Sequence, residues 1–223
     1  MSKVVIYGAS RQGIVALEVL RAQGNSMVLG FLDDDPSKHG SVVHGVTVLG
    51  GMDWANENAQ EDIAAIVAIG NNDRRVAVGA RLRAHGMAVM NLVHPSAVIM
   101  PGVTMGAGNL VCAGAILVTG TCVEDYVVVN TGATIDHDCV LRTGAYVSPG
   151  VHTAGCVTIG KGAFVGVGTT LGPNVTVGEG CVVGAGAVVL SDLPPRVLAY
   201  GTPARAVRKL KDTIDWGRIL AGE

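Results

Sequence analysis

Residues 111–147 read VCAGAILVTGTCVEDYVVVNTGATIDHDCVLRTGAYV, and within them an aliphatic residue returns at every sixth position: Val111, Leu117, Val123, Val129, Ile135, Leu141 and Val147. The series starts at Ile99 and Met105 and runs on through Ile159, Val165, Leu171, Val177 and Val183 to Val189, with Thr153 the one break in sixteen units. A fixed short period marks a repeat architecture. Three residues after each aliphatic stands Gly, Asn or Asp at fourteen of sixteen positions, the exceptions being Tyr126 and Cys156. These residue types tolerate the left-handed backbone of a corner. One residue further on come small or β-branched side chains such as Ala115, Ala133, Cys139, Ala145, Ala163, Thr169, Cys181 and Ala187. A unit of one short strand and one corner cannot bury its own face. Three units close a triangular coil, and stacked coils share a core, so the spacing predicts a parallel β-helix of roughly five coils from about Ser96 to Asp192.

The first 95 residues follow another rhythm. Apolar strands at Lys3–Tyr7, Met27–Leu32, Ile63–Ile69 and Met87–Val93 alternate with helical stretches at Gln12–Ala22 and Asp73–His85. Such alternation predicts a small, Rossmann-like parallel sheet covered by helices. The chain therefore divides into an α/β domain, 1–95, and an all-β domain, 96–223, that ends in a basic tail. Three polar loops follow strand ends: Gly8-Ala9-Ser10-Arg11-Gln12-Gly13, Phe31-Leu32-Asp33-Asp34-Asp35-Pro36, and a loop through Gly70, Asn71 and Arg74. Ligands of open α/β sheets bind at that carboxyl edge, where backbone N–H groups and helix N-termini receive phosphate. Taken singly, each loop reads as a turn or a solvated helix face. Together they predict a nucleotide site built from Gly8, Ala9, Ser10, Arg11, Asp33, Asp34, Gly70, Asn71 and Arg74.

Composition narrows the function classes. A formal net charge of −2 supplies no broad basic field for nucleic acid or an anionic membrane. The N-terminal apolar run is too short for a signal-peptide core and no stretch reads as a membrane span, so a cytoplasmic location is expected. The five cysteines form no CxxC pair and read as reduced structural thiols, with Cys139 and Cys181 in the small inward slot and Cys112, Cys122 and Cys156 near corners. The basic residues after Asp192 (Arg196, Arg205, Arg208, Lys209, Lys211) read as a solvated helix face.

The repeat frame places His137 two residues after inward Ile135 and two before inward Cys139, on the outer surface of a coil. Gly155 follows eighteen residues later, one coil above, and should lie roughly 5 Å away. Asp138 occupies a corner position and also adjoins the imidazole, so a turn role and an orienting role coexist there. His94 reads as a linker residue, and His152, beside the broken repeat, as facing either solvent or a neighbouring subunit. A zinc site on such a helix would need three converging histidines, and only His137 and His152 lie in it; no metal is expected.

The motifs IYGAS (Ile6–Ser10), FLDDDP (Phe31–Pro36), AIGNNDRR (Ala68–Arg75), NTGATIDHDCV (Asn130–Val140) and GTPAR (Gly201–Arg205) give residues 3–210 a resemblance to one family. It comprises the PglD- and NeuD-type sugar acetyltransferases, which join a nucleotide-sugar-binding domain to a left-handed parallel β-helix of hexapeptide repeats. The resemblance implies acetyl-CoA-dependent transfer to the amino group of a nucleotide-linked 4-amino-4,6-dideoxy sugar, in bacterial surface-glycan (lipopolysaccharide or O-antigen) biosynthesis. Sialic acid O-acetylation is the second reading, and a non-catalytic trimeric scaffold is the contrasting class. It further implies direct transfer with His137 as general base, Asp138 orienting it, Gly155 N–H facing the oxyanion and Asn130 in the catalytic set. Acetyl-CoA would lie against Gly155, Tyr146, Val167, Pro173 and Arg205, and the chain would form a homotrimer with the site between neighbours. Two departures stand out: Gln12, preceded by Arg11 in place of glycine, and Tyr146 occupy positions where many relatives carry histidine. The nucleotide base stays open among UDP, dTDP and GDP.

Overall fold

The computed structural model describes residues 2–59 and 62–210. Its N-terminal part comprises β1 (Ser2–Tyr7), α1 (Arg11–Gln23), β2 (Ser26–Leu32), β3 (Val42–Val43), β4 (Val46–Gly50), α2 (Met52–Glu57), β5 (Ile63–Val67), α3 (Asn72–Ala84) and β6 (Ala88–Val89). The sheet order is β3-β4-β2-β1-β5-β6, parallel except for the β3–β4 pair. The central strand β1 is buried on both faces (Val4, Val5 and Ile6 at 0% exposure), which explains its uninterrupted apolar run.

From Leu92 the chain winds through seventeen two-residue strands stacked as three parallel sheets. The first face runs Leu92–Val93, Leu110–Val111, Val128–Val129, Tyr146–Val147, Phe164–Val165 and Val182–Val183; the second begins at Val98–Ile99 and the third at Thr104–Met105. Each strand pairs with the one eighteen residues later, so every aliphatic of the six-residue series lies above its counterpart (Val111 on Val129, Leu117 on Ile135, Val123 on Leu141). From Val111 onward the inward aliphatics are sealed from water, with the small residues wedged between them. The expected corners form: fifteen of the sixteen positions three residues after an aliphatic have positive φ, Asp192 alone excepted. Tyr126 (φ 58°) and Cys156 (φ 60°) adopt this conformation with full side chains, at a cost of roughly 1–2 kcal/mol each.

Several expectations are corrected. The segment Met87–Val93 is not one strand: Ala88–Val89 pairs with β5, whereas Leu92–Val93 pairs with Leu110–Val111 and opens the β-helix. Cys122 lies within a strand rather than near a corner. The basic segment after Asp192 is not a helix face. Val197–Gly201 extends the first face, and Ala204–Lys209 pairs back on it antiparallel, with Leu198 opposite Arg208 and Tyr200 opposite Arg205. Along the inner strand Val197 and Ala199 are buried, the outer strand is exposed from Arg205 to Lys209, and Thr202 and Pro203 form the tip. Lys211 lies outside the described residues.

The two parts share a core. Outward residues of the first face, Leu92, Leu110, Cys112 and Val128, pack with Ala16, Leu17 and Leu20 of α1 and with Phe31. Burial pushes the Cys112 thiol up to about 12, so it behaves as a small hydrophobe. At the same seam lies Arg75, 1% exposed, with no carboxylate bonded to it among the described residues. Its guanidinium instead donates to Tyr126 O (2.9 Å), Ile69 O (2.9 Å), Asn72 Oδ1 (2.9 Å) and Gly144 O (2.8 Å), and stands 5.6 Å over the Tyr146 ring. One cation thus ties α3 to two corners of the β-helix. Gly79 is required beside it, because a Cβ there would meet Tyr126 Cε1 at 2.1 Å.

Candidate active site

At the carboxyl edge of the sheet, Tyr7, Gly8, Ser10, Asp33, Asp34, Lys38, Ile69 and Arg74 line a cavity of about 160 Å³. Of the residues expected there, Gly8, Ser10, Asp33, Asp34 and Arg74 reach it. Ala9 is buried behind it and donates its N–H to Asp33 Oδ2 at 3.0 Å. Asn71 caps α3 by accepting from Arg74 N (2.9 Å), while Arg11 and Gly70 are exposed outside the lining. Asp33 organises the loop: its Oδ1 accepts from Asp35 N (3.1 Å) and its Oδ2 from Lys38 Nζ (2.8 Å). Despite partial burial, the Lys38 bond and these backbone N–H groups hold its carboxyl below the usual range. Tyr7 donates to Asp34, and burial together with that carboxylate pushes the phenol well above its ordinary value. The chain needs glycine at both ends of the first loop, since a Cβ on Gly8 would strike Ala68 O at 2.5 Å and one on Gly13 would strike Gly8 O at 1.9 Å. Helix α1 therefore starts hard against β1. Ser10 makes no side-chain cap and no acidic residue lies in the first turn, which leaves the helix N-terminus available to an anion. Tyr7, Ile69 and Lys38 were missed from sequence, although Tyr7 and Ile69 abut the two glycine loops.

His137 stands on the corner between the second and third faces. Its Nδ1 is 2.9 Å from Asp138 Oδ2, Nε2 has no partner among the described residues, and the ring lies across Gly155: a Cβ there would meet His137 Cε1 and Nε2 at 2.5 Å. Asp138, in the left-handed region (φ 57°), has its carboxylate over Gly120, where a Cβ would meet Oδ1 at 2.2 Å. Two bare backbones one coil below and one coil above thus make room for the acid and the imidazole. The Asp138 hydrogen bond foremost, and the nearby Asp136 charge, raise the His137 pKa above 6.5. Gly155 accepts from Asn174 N (3.1 Å), while its own N–H has no acceptor among the described residues. Cys156 is exposed on the same corner, and donor atoms of His137, Asp138 and Cys156 lie within 4.8 Å of one another. Pro173 continues this corner one coil higher.

Asn130, Tyr146 and Val167 are not brought to His137. Asn130 and Val167 belong to the corner between the first and second faces, and Tyr146 and Arg205 to the first face and its hairpin. The two departures from the family pattern meet here. Asn130 Nδ2 donates to Tyr146 OH (2.9 Å), and Tyr146 OH donates to Gln12 Oε1 (3.0 Å). Thr131 N–H on Asn130 Oδ1 (2.8 Å) fixes the direction of this relay, which ends at Gln12 in the first turn of α1.

A nucleotide-type edge pocket, joined through a packed seam to a hexapeptide β-helix with a histidine–carboxylate pair on an outer corner, defines a hexapeptide-repeat acyltransferase. Residues 3–82 match the PglD N-terminal domain, and residues 156–191 match the bacterial transferase hexapeptide of six repeats. The chain is similar to PerB of Caulobacter crescentus, solved with CoA and GDP-perosamine: 39% identity, TM-score 0.88, covering 93% of this chain and 98% of that one. It is also similar to the acetyltransferase domain of PglB from Neisseria gonorrhoeae, solved with acetyl coenzyme A: 34% identity, TM-score 0.87, covering 92% and 99%. A Bacillus subtilis UDP-N-acetylbacillosamine N-acetyltransferase is 29% identical over 122 residues, and that match spans about half of each protein (51% and 52%). The chain belongs to the PglD-type sugar acetyltransferase family, and its solenoid is the left-handed parallel β-helix of that family.

Proposed function

We propose that the protein transfers the acetyl group of acetyl-CoA to the amino group of a nucleotide-linked 4-amino-4,6-dideoxyhexose, for bacterial surface-glycan biosynthesis. One observation carries the chemistry: Asp138 engages His137 Nδ1, so Nε2 faces outward over the bare backbone of Gly155. Nε2 takes a proton from the sugar amine as the amine nitrogen bonds to the thioester carbonyl carbon. The resulting oxyanion is met by Gly155 N–H, a donor of a kind worth about 3 kcal/mol. Collapse breaks the C–S bond, and the imidazolium returns its proton to the departing CoA sulfur. Asp138 holds the tautomer and offsets the imidazolium charge.

The nucleotide pocket at the sheet edge supports the acceptor class, as do the relatives whose names give GDP-perosamine and UDP-N-acetylbacillosamine. Asn130, Tyr146, Val167 and Arg205 lie apart from His137 on the same chain, which supports a homotrimer whose sites form between copies. No helix among the described residues is long and apolar enough to cross a membrane. A cytoplasmic location suits both soluble substrates.

The test is release of CoA thiol from acetyl-CoA with a panel of nucleotide 4-amino-4,6-dideoxy sugars, sialic acid and free amino sugars. Turnover with a nucleotide amino sugar, lost in His137→Ala, is the expected result. Turnover with sialic acid alone, or full activity in His137→Ala, overturns the reading.

A further inference from the structure

Thr153 is the one non-aliphatic member of the sixteen-unit series, and its side chain points inward, 7% exposed. On the second face, the residue after each aliphatic donates its N–H to the carbonyl of the aliphatic one coil above: Met100 to Leu117, Val118 to Ile135, Ala154 to Leu171 and Gly172 to Val189, all at 2.8–2.9 Å. Asp136 alone departs, donating to Thr153 Oγ1 at 3.0 Å. The ladder between Thr134–Ile135 and His152–Thr153 accordingly keeps a single register pair, Thr134 with His152, where its neighbours keep two.

The diverted bond sits immediately before the proposed base. Asp136 Oδ1 accepts from His137 N–H at 2.7 Å, and Asp136 O accepts from Thr121 Oγ1 of the coil below at 3.0 Å. Beneath the corner, Thr153 Oγ1 is 3.5 Å from Cys139 Sγ, which in turn reaches Ala154 O and the Val157 N–H at 3.4 Å each. The Thr121 bond has a counterpart in Thr169, which donates to Gly184 O at 3.2 Å on the corner between the first and second faces, away from His137, so it belongs to coil construction. The Thr153 bond has no counterpart among the described residues. A hydroxyl among stacked aliphatics carries a desolvation cost, and an aliphatic would close the ladder and pack on Ile135 and Leu171. Stability alone therefore favours valine here.

We propose that Thr153 is a positioning residue for acetyl transfer: its buried hydroxyl draws the Asp136 N–H out of the sheet ladder and so sets the backbone from which His137 reaches over Gly155. The proposal rests on the reading of His137 as the base. Two variants separate positioning from folding, with kcat, KM for both substrates and the thermal midpoint measured on each. Thr153→Val keeps the volume and removes the hydroxyl. It should lower kcat by about ten- to a hundredfold, the scale expected for a misplaced catalytic group, while KM stays within about twofold and the midpoint holds or rises. Thr153→Ser keeps the hydroxyl and loses a methyl; it should retain kcat within about threefold although its midpoint falls. A Thr153→Val enzyme with wild-type kcat, or a Thr153→Ser enzyme as impaired as Thr153→Val, makes the threonine a core filler and overturns the proposal. A kcat loss that comes with a lowered midpoint in Thr153→Val does the same. Wild-type protein without turnover on any nucleotide amino sugar overturns the functional reading and this proposal with it.

Discussion

Exchanging Gly155 for alanine tests whether the imidazole does its work where it lies. The added methyl would sit 2.5 Å from both Cε1 and Nε2 of His137 and 3.1 Å from Cδ2, whereas ordinary contact begins near 3.4 Å. The ring must therefore withdraw by about 0.9 Å, a displacement of the size that costs on the order of 10²-fold in rate, or about 2.7 kcal/mol of barrier. Gly155 is not among the positive-φ positions, so alanine adds no backbone strain. The His137 side chain is 52% exposed and can swing without disturbing the core. The backbone N–H is retained, so the proposed oxyanion donor survives and the loss isolates the placement of the proposed base. Steady-state CoA release should show kcat reduced about a hundredfold, with an unchanged thermal midpoint and an unchanged oligomeric state. A kcat within about threefold of wild type would refute the argument that Nε2 acts from above Gly155.

The electrostatics of the same corner fix a pH dependence. Asp138 and Asp136 raise the His137 pKa above 6.5, and a base must be neutral, so kcat/KM should climb with pH through a midpoint above that value and then level off. Asp138→Asn removes the leading cause and should move that midpoint downward while lowering the plateau; an unmoved midpoint would mean that another group titrates. At the seam, Arg75→Met strips hydrogen bonds from four oxygens of α3, the preceding loop and two β-helix corners, and should cost at least about 3 kcal/mol in denaturant unfolding. A shift below about 1 kcal/mol would show that water replaces the guanidinium without penalty.

The solenoid was legible because its constraint is local and repeated: one aliphatic per six residues, one corner three residues on. His137 could be placed on an outer corner by counting from Ile135, and Gly155 by adding one coil. Arg75 could not. It sits among charged neighbours on α3, and only the fold shows that its face of the helix is covered by the corners at Tyr126 and Gly144. A signal for that seam was present in the sequence. Leu92, Leu110, Val128, Tyr146, Phe164 and Val182 are apolar at outward positions, recurring every eighteen residues, and an outward apolar row demands a cover. The edge hairpin at Val197–Lys209 was read as helix because its basic residues have no distinctive period. What decides its form is pairing with Val182–Val183, a contact that charge does not reveal.

The seam and the corner together constrain how the protein works. Gln12 lies in the first turn of α1, next to the pocket residues Gly8 and Ser10, and the relay through Tyr146 to Asn130 locks that turn to the corner between the first and second faces. His137 stands at the far end of the second face in the same coil, seven residues beyond Asn130, a stretch that spans at most about 23–25 Å when extended. A donor or acceptor gripped at the Gln12–Tyr146–Asn130 corner is thus displaced by a whole prism face from its own chain's base. The N-terminal domain is tied to the β-helix by Arg75 and by a shared apolar core, which opposes hinge closure within one chain. The proposed lateral packing of copies would join both halves, each copy presenting its pocket corner to a neighbour's His137. This separation is the physical argument for the three-fold assembly proposed above, and it explains why the pair His137–Asp138 is left half exposed in the single chain.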